Sequence, residues 1–128
     1  MSAITKQVIK AGTYIFHEGD VESHFYIIEE GEVHIVTKDK AGQSIIVAKL
    51  FAGDSFGEFA LIDKTPRTAS ALAKTDISVM RVSEEGYQTM LSELPIWASC
   101  MLKSFSSRIL TMNSTLKSLT EAIKQSRY

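Results

Sequence analysis

Between Gln7 and Val82 apolar residues come only in short runs, each cut off by a glycine or by a cluster of Asp and Lys. That punctuation limits the fold more than any other feature. Tyr14 to Phe16, Phe25 to Ile28, Val33 to Val36, Ser44 to Leu50, Ala69 to Ala73 and Ile77 to Val82 are rich in Val, Ile, Tyr and Phe, and the pattern predicts strands there. Glu18-Gly19-Asp20, Glu30-Gly31-Glu32, Lys38 to Gly42 and Ala52-Gly53-Asp54 supply turns between them. Short strands spaced roughly 8–12 residues apart predict a sandwich, roll or barrel. The 128 residues suffice for one such core and a helical appendage.

After Val82 the pattern changes. Ser83-Glu84-Glu85 places a capping hydroxyl before two acids and predicts a helix start. Pro95 opens a second, longer helix, since proline suits a first turn. Leu102, Phe105, Ile109, Met112, Leu116, Leu119 and Ile123 follow at spacings of three and four, a heptad seam. One helix face packed on the β-domain needs a wider apolar stripe than this. The seam favours a two-stranded parallel coiled coil over residues 95–125, and with it a homodimer. The chain therefore divides into a β-rich part, 1–94, and a long C-terminal helix, 95–128.

The formal net charge of −1 gives no general pull toward DNA, RNA or anionic lipid, so a bound anion must be held by a local arrangement. The single cysteine, Cys100, excludes an internal disulfide and suits a reducing compartment; its apolar neighbours predict a buried thiol. No apolar run is long enough for a signal peptide or a membrane span, and a cytoplasmic setting is the expectation.

The segment from Gly53 to Ser70 is where anion chemistry concentrates. Gly53 and Gly57 let the backbone approach a ligand closely. Glu58 to Leu61 predicts a short helix whose first N–H groups are free to bind an anion. Arg67 follows just beyond Pro66 and adds a guanidinium. A glutamate beside an anion is useful only if the ligand also offers a hydroxyl near its phosphate, as a ribose 3′,5′-cyclic phosphate does. Glu58 then accepts from the 2′-OH while Arg67 binds the phosphate oxygens. An ordinary Glu58–Arg67 ion pair, with Gly57 as a plain turn, accounts for the spacing equally well.

Gly12 to Asp20, Phe25 to Val33, Gly53 to Leu61 and Pro66 to Ser70, taken in order, resemble the cyclic nucleotide-binding domain family. It includes regulatory subunits of cAMP-dependent kinase, cyclic nucleotide-gated channels and catabolite activator proteins. The resemblance spans roughly residues 7 to 125 and implies a mainly β fold with flanking helices. That fold is an eight-stranded antiparallel β-roll of the jelly-roll type, with a phosphate-binding cassette between two strands. By position Gly57 and Glu58 match its ribose-facing residues and Arg67 its phosphate-binding arginine. Phe56 and Pro66 flank these, and the amides of Phe59, Ala60 and Ala69 complete the phosphate shell. Gly19, Asp20 and Gly31 match structural turns that touch no ligand.

The same resemblance bears on the base. Thr68 is similar to a threonine found in domains that favour cGMP, but Ala48 stands where some of those carry a base-contacting arginine. Val47 and Leu50 are candidates for an apolar floor under a purine. Aligned from Pro95, the long helix resembles the dimer helix of the catabolite activators. This brings Arg108, Met112 and Asn113 near the nucleotide, with Asn113 placed for the adenine 6-amino edge. Solvated flank positions explain Arg108 and Asn113 nearly as well. cAMP is the expected ligand, with cGMP second. The closing Lys-Gln-Ser-Arg-Tyr is too short to read a DNA groove, so no nucleic-acid contact is expected. The chain is either a free-standing sensor or the sensing part of something longer.

Three other classes compete. A cupin-like metal enzyme needs clustered His and Glu ligands, and His17, His24 and His34 show no such spacing. A ligand-free structural module would have lost the arginine or the glutamate, and both are present. A haem sensor finds no histidine in the pocket segment. A non-enzymatic sensor is the expectation.

Overall fold

The computed structural model describes residues 4–58 and 66–126. Eight strands are described, β1 (Ile4–Ile9), β2 (Tyr14–Phe16), β3 (His24–Glu30), β4 (Val33–Lys38), β5 (Ser44–Leu50), β6 (Ser55–Phe56), β7 (Ser70–Ala73) and β8 (Ile77–Ser83). Two helices follow, α1 (Glu84–Ser92) and α2 (Ile96–Ser126). The strands form two four-stranded antiparallel sheets, in the orders β1-β8-β3-β6 and β2-β7-β4-β5. This is the antiparallel β-roll with a long C-terminal helix that the strand spacing and the resemblance predicted. Contacts divide the chain into two compact units, one up to Thr89 and one from Met90.

The core lies between the sheets. Tyr26 and Ile28 of β3, Phe56 of β6, and Ile77 and Val79 of β8 meet Phe16 of β2, Val33 of β4, and Ala71 and Ala73 of β7. The alternation of inward and outward residues along β7 and β8 follows from the period of two in an extended chain. Ile28, Ile77, Val33, Val79 and Val82 are the largest fully buried side chains. Each contributes about 1.5–3 kcal/mol by leaving water.

Two strands were not expected. β1 reads Ile-Thr-Lys-Gln-Val-Ile, is mostly exposed, and is held by its register against β8. β6 is two residues long and pairs with Tyr26 and Ile27. A polar edge strand and a two-residue strand carry too little apolar alternation to announce themselves. The helix starts fall where the sequence placed them. Ser83 Oγ accepts from the Gly86 N–H at 3.0 Å, and the Pro95 carbonyl accepts from the N–H groups of Ala98 and Ser99 at 3.0 and 3.1 Å. Cys100 departs from expectation: it is exposed. Its apolar neighbours Ile96, Trp97 and Met101 are exposed too, so an apolar stretch on this helix does not mark a buried face.

Gly31 makes the tight link from β3 to β4. Its φ of 102° is left-handed, and a Cβ there would lie 2.6 Å from Ile77 Cγ2 and 2.7 Å from the Asp76 carbonyl oxygen. The carbonyl is backbone and cannot swing away. Gly31→Ala is expected to cost about 2–4 kcal/mol, from strain at positive φ and the steric clash together. Urea unfolding of both proteins measures this; a loss below about 0.5 kcal/mol would contradict the account, being the size of an ordinary surface change.

Candidate functional site

A turn and a loop are fastened together first. The Arg67 N–H donates to the Asp20 carbonyl, and the Gly19 N–H donates to the Arg67 carbonyl, both at 2.8 Å. The Asp20 carboxylate in turn accepts from the His17 N–H at 2.9 Å, which sets the turn after β2. The Glu18 N–H donates to Ser70 Oγ at 2.8 Å, extending the join to the start of β7. These bonds fix the backbone of Arg67 and direct its side chain inward.

There the guanidinium is buried, with Arg67 only 5% exposed. Nη1 donates to the Gly57 carbonyl at 2.7 Å. Nη2 donates to Glu22 Oε1 at 2.9 Å and to the His24 carbonyl at 2.5 Å. The guanidinium carbon sits 4.1 Å from the centroid of the Phe16 ring. Nε is buried and has no hydrogen-bond partner among the described residues. A buried charge is tolerated only when paired and hydrogen-bonded, and an unmet buried donor is a standing cost.

Gly57 permits this geometry. Its φ is 83°, and an added Cβ would lie 2.8 Å from Arg67 Nη1. Behind Arg67, the Glu22 carboxylate also accepts from the Tyr26 hydroxyl at 3.2 Å. Arg81, opposite Tyr26 in the β3–β8 register, places Nη2 3.3 Å from His24 Nδ1. Burial pushes the His24 imidazole below its usual value, helped by Arg81 and Arg67 and opposed by Glu22. Burial pushes the Tyr26 phenol up.

A cavity of about 260 Å³ opens beside the guanidinium. Phe16, Ile35, Leu50 and Phe56 give it an apolar wall, and Gly57, Glu58 and the stretch 66–69 give it a polar one. Of the residues selected from sequence, Phe56, Gly57, Glu58, Pro66, Arg67, Thr68 and Ala69 all line it. Phe59 and Ala60, with the short helix expected from Glu58 to Leu61, extend outside the described residues. Val47 is 56% exposed and absent from the lining, while Leu50 is part of it. The β4–β5 register shifts between Ile35 and Val36, opposite Val47, so simple alternation does not set which way Val47 faces. Arg108 is exposed on α2, and the side chain of Asn113 is outside the described set.

The ion pair offered as an alternative for Glu58 is replaced by another. Arg67 is paired with Glu22, 45 residues away in sequence. Glu22 and His24 were not selected from sequence, because nothing local links them to residue 67. Among the described residues no three His, Cys, Asp or Glu side chains converge as a metal site would require, and no helix is long and apolar enough to cross a membrane.

Residues 6–93 match the family model described as the cyclic nucleotide-binding domain. A cAMP-dependent protein kinase regulatory subunit of Yarrowia lipolytica is 40% identical over 89 residues, which is 70% of this chain and 23% of that subunit. The chain spans less than half the length of the curated relatives it matches. Among solved structures, the EAL enzyme Bd1971 in a halfsite-occupied form aligns with a TM-score of 0.78 and 29% identity, over 85% of this chain and 97% of that one. The regulatory domain of Toxoplasma gondii PKA with cAMP aligns at 0.68 and 28% identity, over 83% of this chain and 40% of that one. The chain belongs to the cyclic nucleotide-binding domain family.

Gly57→Ala tests the close approach at the site. The methyl group must displace Nη1 or distort the backbone, so a stability loss of about 1–3 kcal/mol is expected. Denaturant unfolding measures it, and unchanged stability would mean that the guanidinium has room that the 2.8 Å contact denies.

Proposed function

We propose that this chain is a non-enzymatic cyclic nucleotide sensor that binds cAMP, and cGMP less well, and passes the binding event on through its C-terminal helices. The observation that carries the reading is the buried Arg67 guanidinium, whose Nε is unmatched among the described residues, beside a largely apolar cavity. A phosphate oxygen meets an unmatched donor of that kind, and the apolar wall suits a purine ring. The kinship with kinase regulatory subunits supports the assignment.

In this reading Arg67 holds the exocyclic phosphate oxygens, with the amides of Phe59, Ala60 and Ala69. Glu58 accepts from the ribose 2′-OH beside Gly57. Leu50, of the two candidates Val47 and Leu50, supplies the floor under the base. Thr68 lies at the rim, where its hydroxyl suits either purine. Arg108 and Asn113 are candidate base contacts on the resemblance to the catabolite-activator helix alone, with Asn113 favouring adenine. Binding shifts an equilibrium between two arrangements of the helices, and only through its differential affinity for them. Residues 1–94 sense and residues 95–128 transmit, to an attached domain or a partner protein, in the cytoplasm.

We further propose a homodimer through residues 95–125. Leu102, Phe105, Ile109, Met112, Leu116 and Leu119 are all exposed in the single chain, a continuous apolar seam of two positions in seven. Its cover is a second copy of the same helix in parallel register. A monomeric mass in solution at micromolar protein would refute this.

Calorimetric titration with cAMP and cGMP tests the sensor reading. Arg67→Leu is expected to cost ~2–5 kcal/mol of binding, since it leaves the phosphate without its charge partner. Circular dichroism of the variant checks that the fold survives. Undetectable binding of either nucleotide by the native protein, or unchanged affinity in a folded variant, would overturn the assignment.

A further inference from the structure

The charged groups behind Arg67 form a chain that phosphate binding alone does not require. His24 joins its two ends. Its carbonyl accepts from Arg67 Nη2, and its ring Nδ1 lies 3.3 Å from Arg81 Nη2. An arginine can only donate, so Nδ1 is the acceptor and carries no proton in this arrangement. The ring therefore faces two guanidinium groups, Arg67 from the loop and Arg81 from β8, and one carboxylate, Glu22, from the preceding loop. Tyr26 adds a phenol that burial keeps neutral. Thr5 of β1 stands opposite Arg81, Ser55 and Phe56 of β6 carry no charge, and Lys6 is engaged with Glu29 at 3.9 Å. Glu84 opens α1 one residue beyond Ser83, the partner of His24 in the β3–β8 register.

We propose that His24 is a positioning residue for Arg67 whose protonation strengthens the hold of this site on a phosphate anion. Two consequences of protonation act in the same direction. The ring gains a positive charge on the residue whose carbonyl already holds the anion-binding guanidinium. It also stops accepting from Arg81, and Arg81, which like Glu22 acts on the Tyr26 hydroxyl, is freed to draw that carboxylate away from Arg67.

The direction of the pH effect follows from linkage. In the free protein burial and the two arginines hold the imidazole below its ordinary 6.5, so it is neutral at pH 7. An anion on Arg67 cancels part of that repulsion and raises the imidazole's proton affinity. Binding then takes up a proton, and affinity rises as the pH falls into the range where the imidazole protonates. The ligand's phosphodiester keeps its charge throughout this range. The His17 ring is exposed and stacks on Tyr14, and His34 of β4 is bonded to Glu32, so among the described contacts neither ring touches the Arg67 guanidinium.

The inference rests on the cyclic-nucleotide reading, and one titration series separates the two. Native protein, His24→Asn and His17→Gln are titrated calorimetrically with cAMP at about pH 7.5 and about pH 5.5, in buffers of different ionisation enthalpy. The Asn carbonyl can still accept from Arg81 but does not titrate. Native protein is expected to bind about three- to tenfold more tightly at the acid end, as one added charge near a partly solvated anion implies, with net proton uptake. His17→Gln keeps that slope and His24→Asn loses it. No binding at neutral pH sinks the sensor reading itself. Binding that is flat with pH, or a slope that survives in His24→Asn, sinks only the role of His24. Should His24→Asn not fold, nuclear magnetic resonance titration of His24 in the native protein decides. Its proton affinity must rise when cAMP binds, and a value unchanged or lowered overturns the proposal.

Discussion

A guanidinium cannot be taken out of water without replacement partners, and the architecture around Arg67 supplies them from widely separated parts of the chain. Glu22 comes from the loop before β3, the His24 carbonyl from the first residue of β3, the Gly57 carbonyl from the end of β6, and the Phe16 ring from β2. Each can reach the guanidinium only if its strand is in register. The burial of one charge thus depends on the pairing of most of the roll. Desolvation is large enough that losing any one partner would expose the imbalance, whereas an exposed arginine would tolerate all of them. One donor, Nε, is still left over among the described residues. An ordinary structural ion pair gains nothing from an unmatched donor, but a site that must accept another oxygen does.

Topology explains why this arginine lies where two sheets can act on one ligand. Of the connections between described strands, only β4–β5 stays within a sheet; every other one crosses from one sheet to the other. The chain from β6 to β7 is one of these crossings. Whatever sits against its ends is therefore bordered by Phe56 from the first sheet and by Phe16, Ile35 and Leu50 from the second. Tyr26 stacks on Phe56 at 5.1 Å, with Phe16 about equally close to both, so an aromatic cluster underlies the polar end of the cavity. Aromatic packing of this kind resists shear between the sheets.

How much of this was legible in the sequence depended on the range of the interaction. Strands with clear apolar runs, β2 and β5 above all, were found with their observed bounds, and Ser83 as a cap was a local signal. Gly57 and the cavity-lining stretch from Pro66 to Ala69 were legible because glycine, proline and arginine each constrain their own backbone or chemistry. Glu22 was not, because its meaning arises only when β3 brings it to Arg67, and no pattern within a window of sequence encodes a contact 45 residues long. Cys100 was misjudged, and Val47 stands outside the cavity lining, for one shared reason. Apolar neighbours in sequence establish that a segment can be buried, not which of its faces is, and both the exposed helix and the register shift opposite Val47 separate those two things.

The carboxylate partner of Arg67 also reframes why the segment between β6 and β7 contains Glu58 at all. Had Glu58 been needed to neutralise Arg67, a second carboxylate on the guanidinium would have been redundant. Because Glu22 takes that part, Glu58 is left exposed at the rim, free of the arginine and facing the cavity. On the proposed reading, neutralisation and recognition are thereby divided between two acids from different loops. Such a division lets the buried charge be balanced in the free protein without using the acceptor that a hydroxyl of the ligand would need.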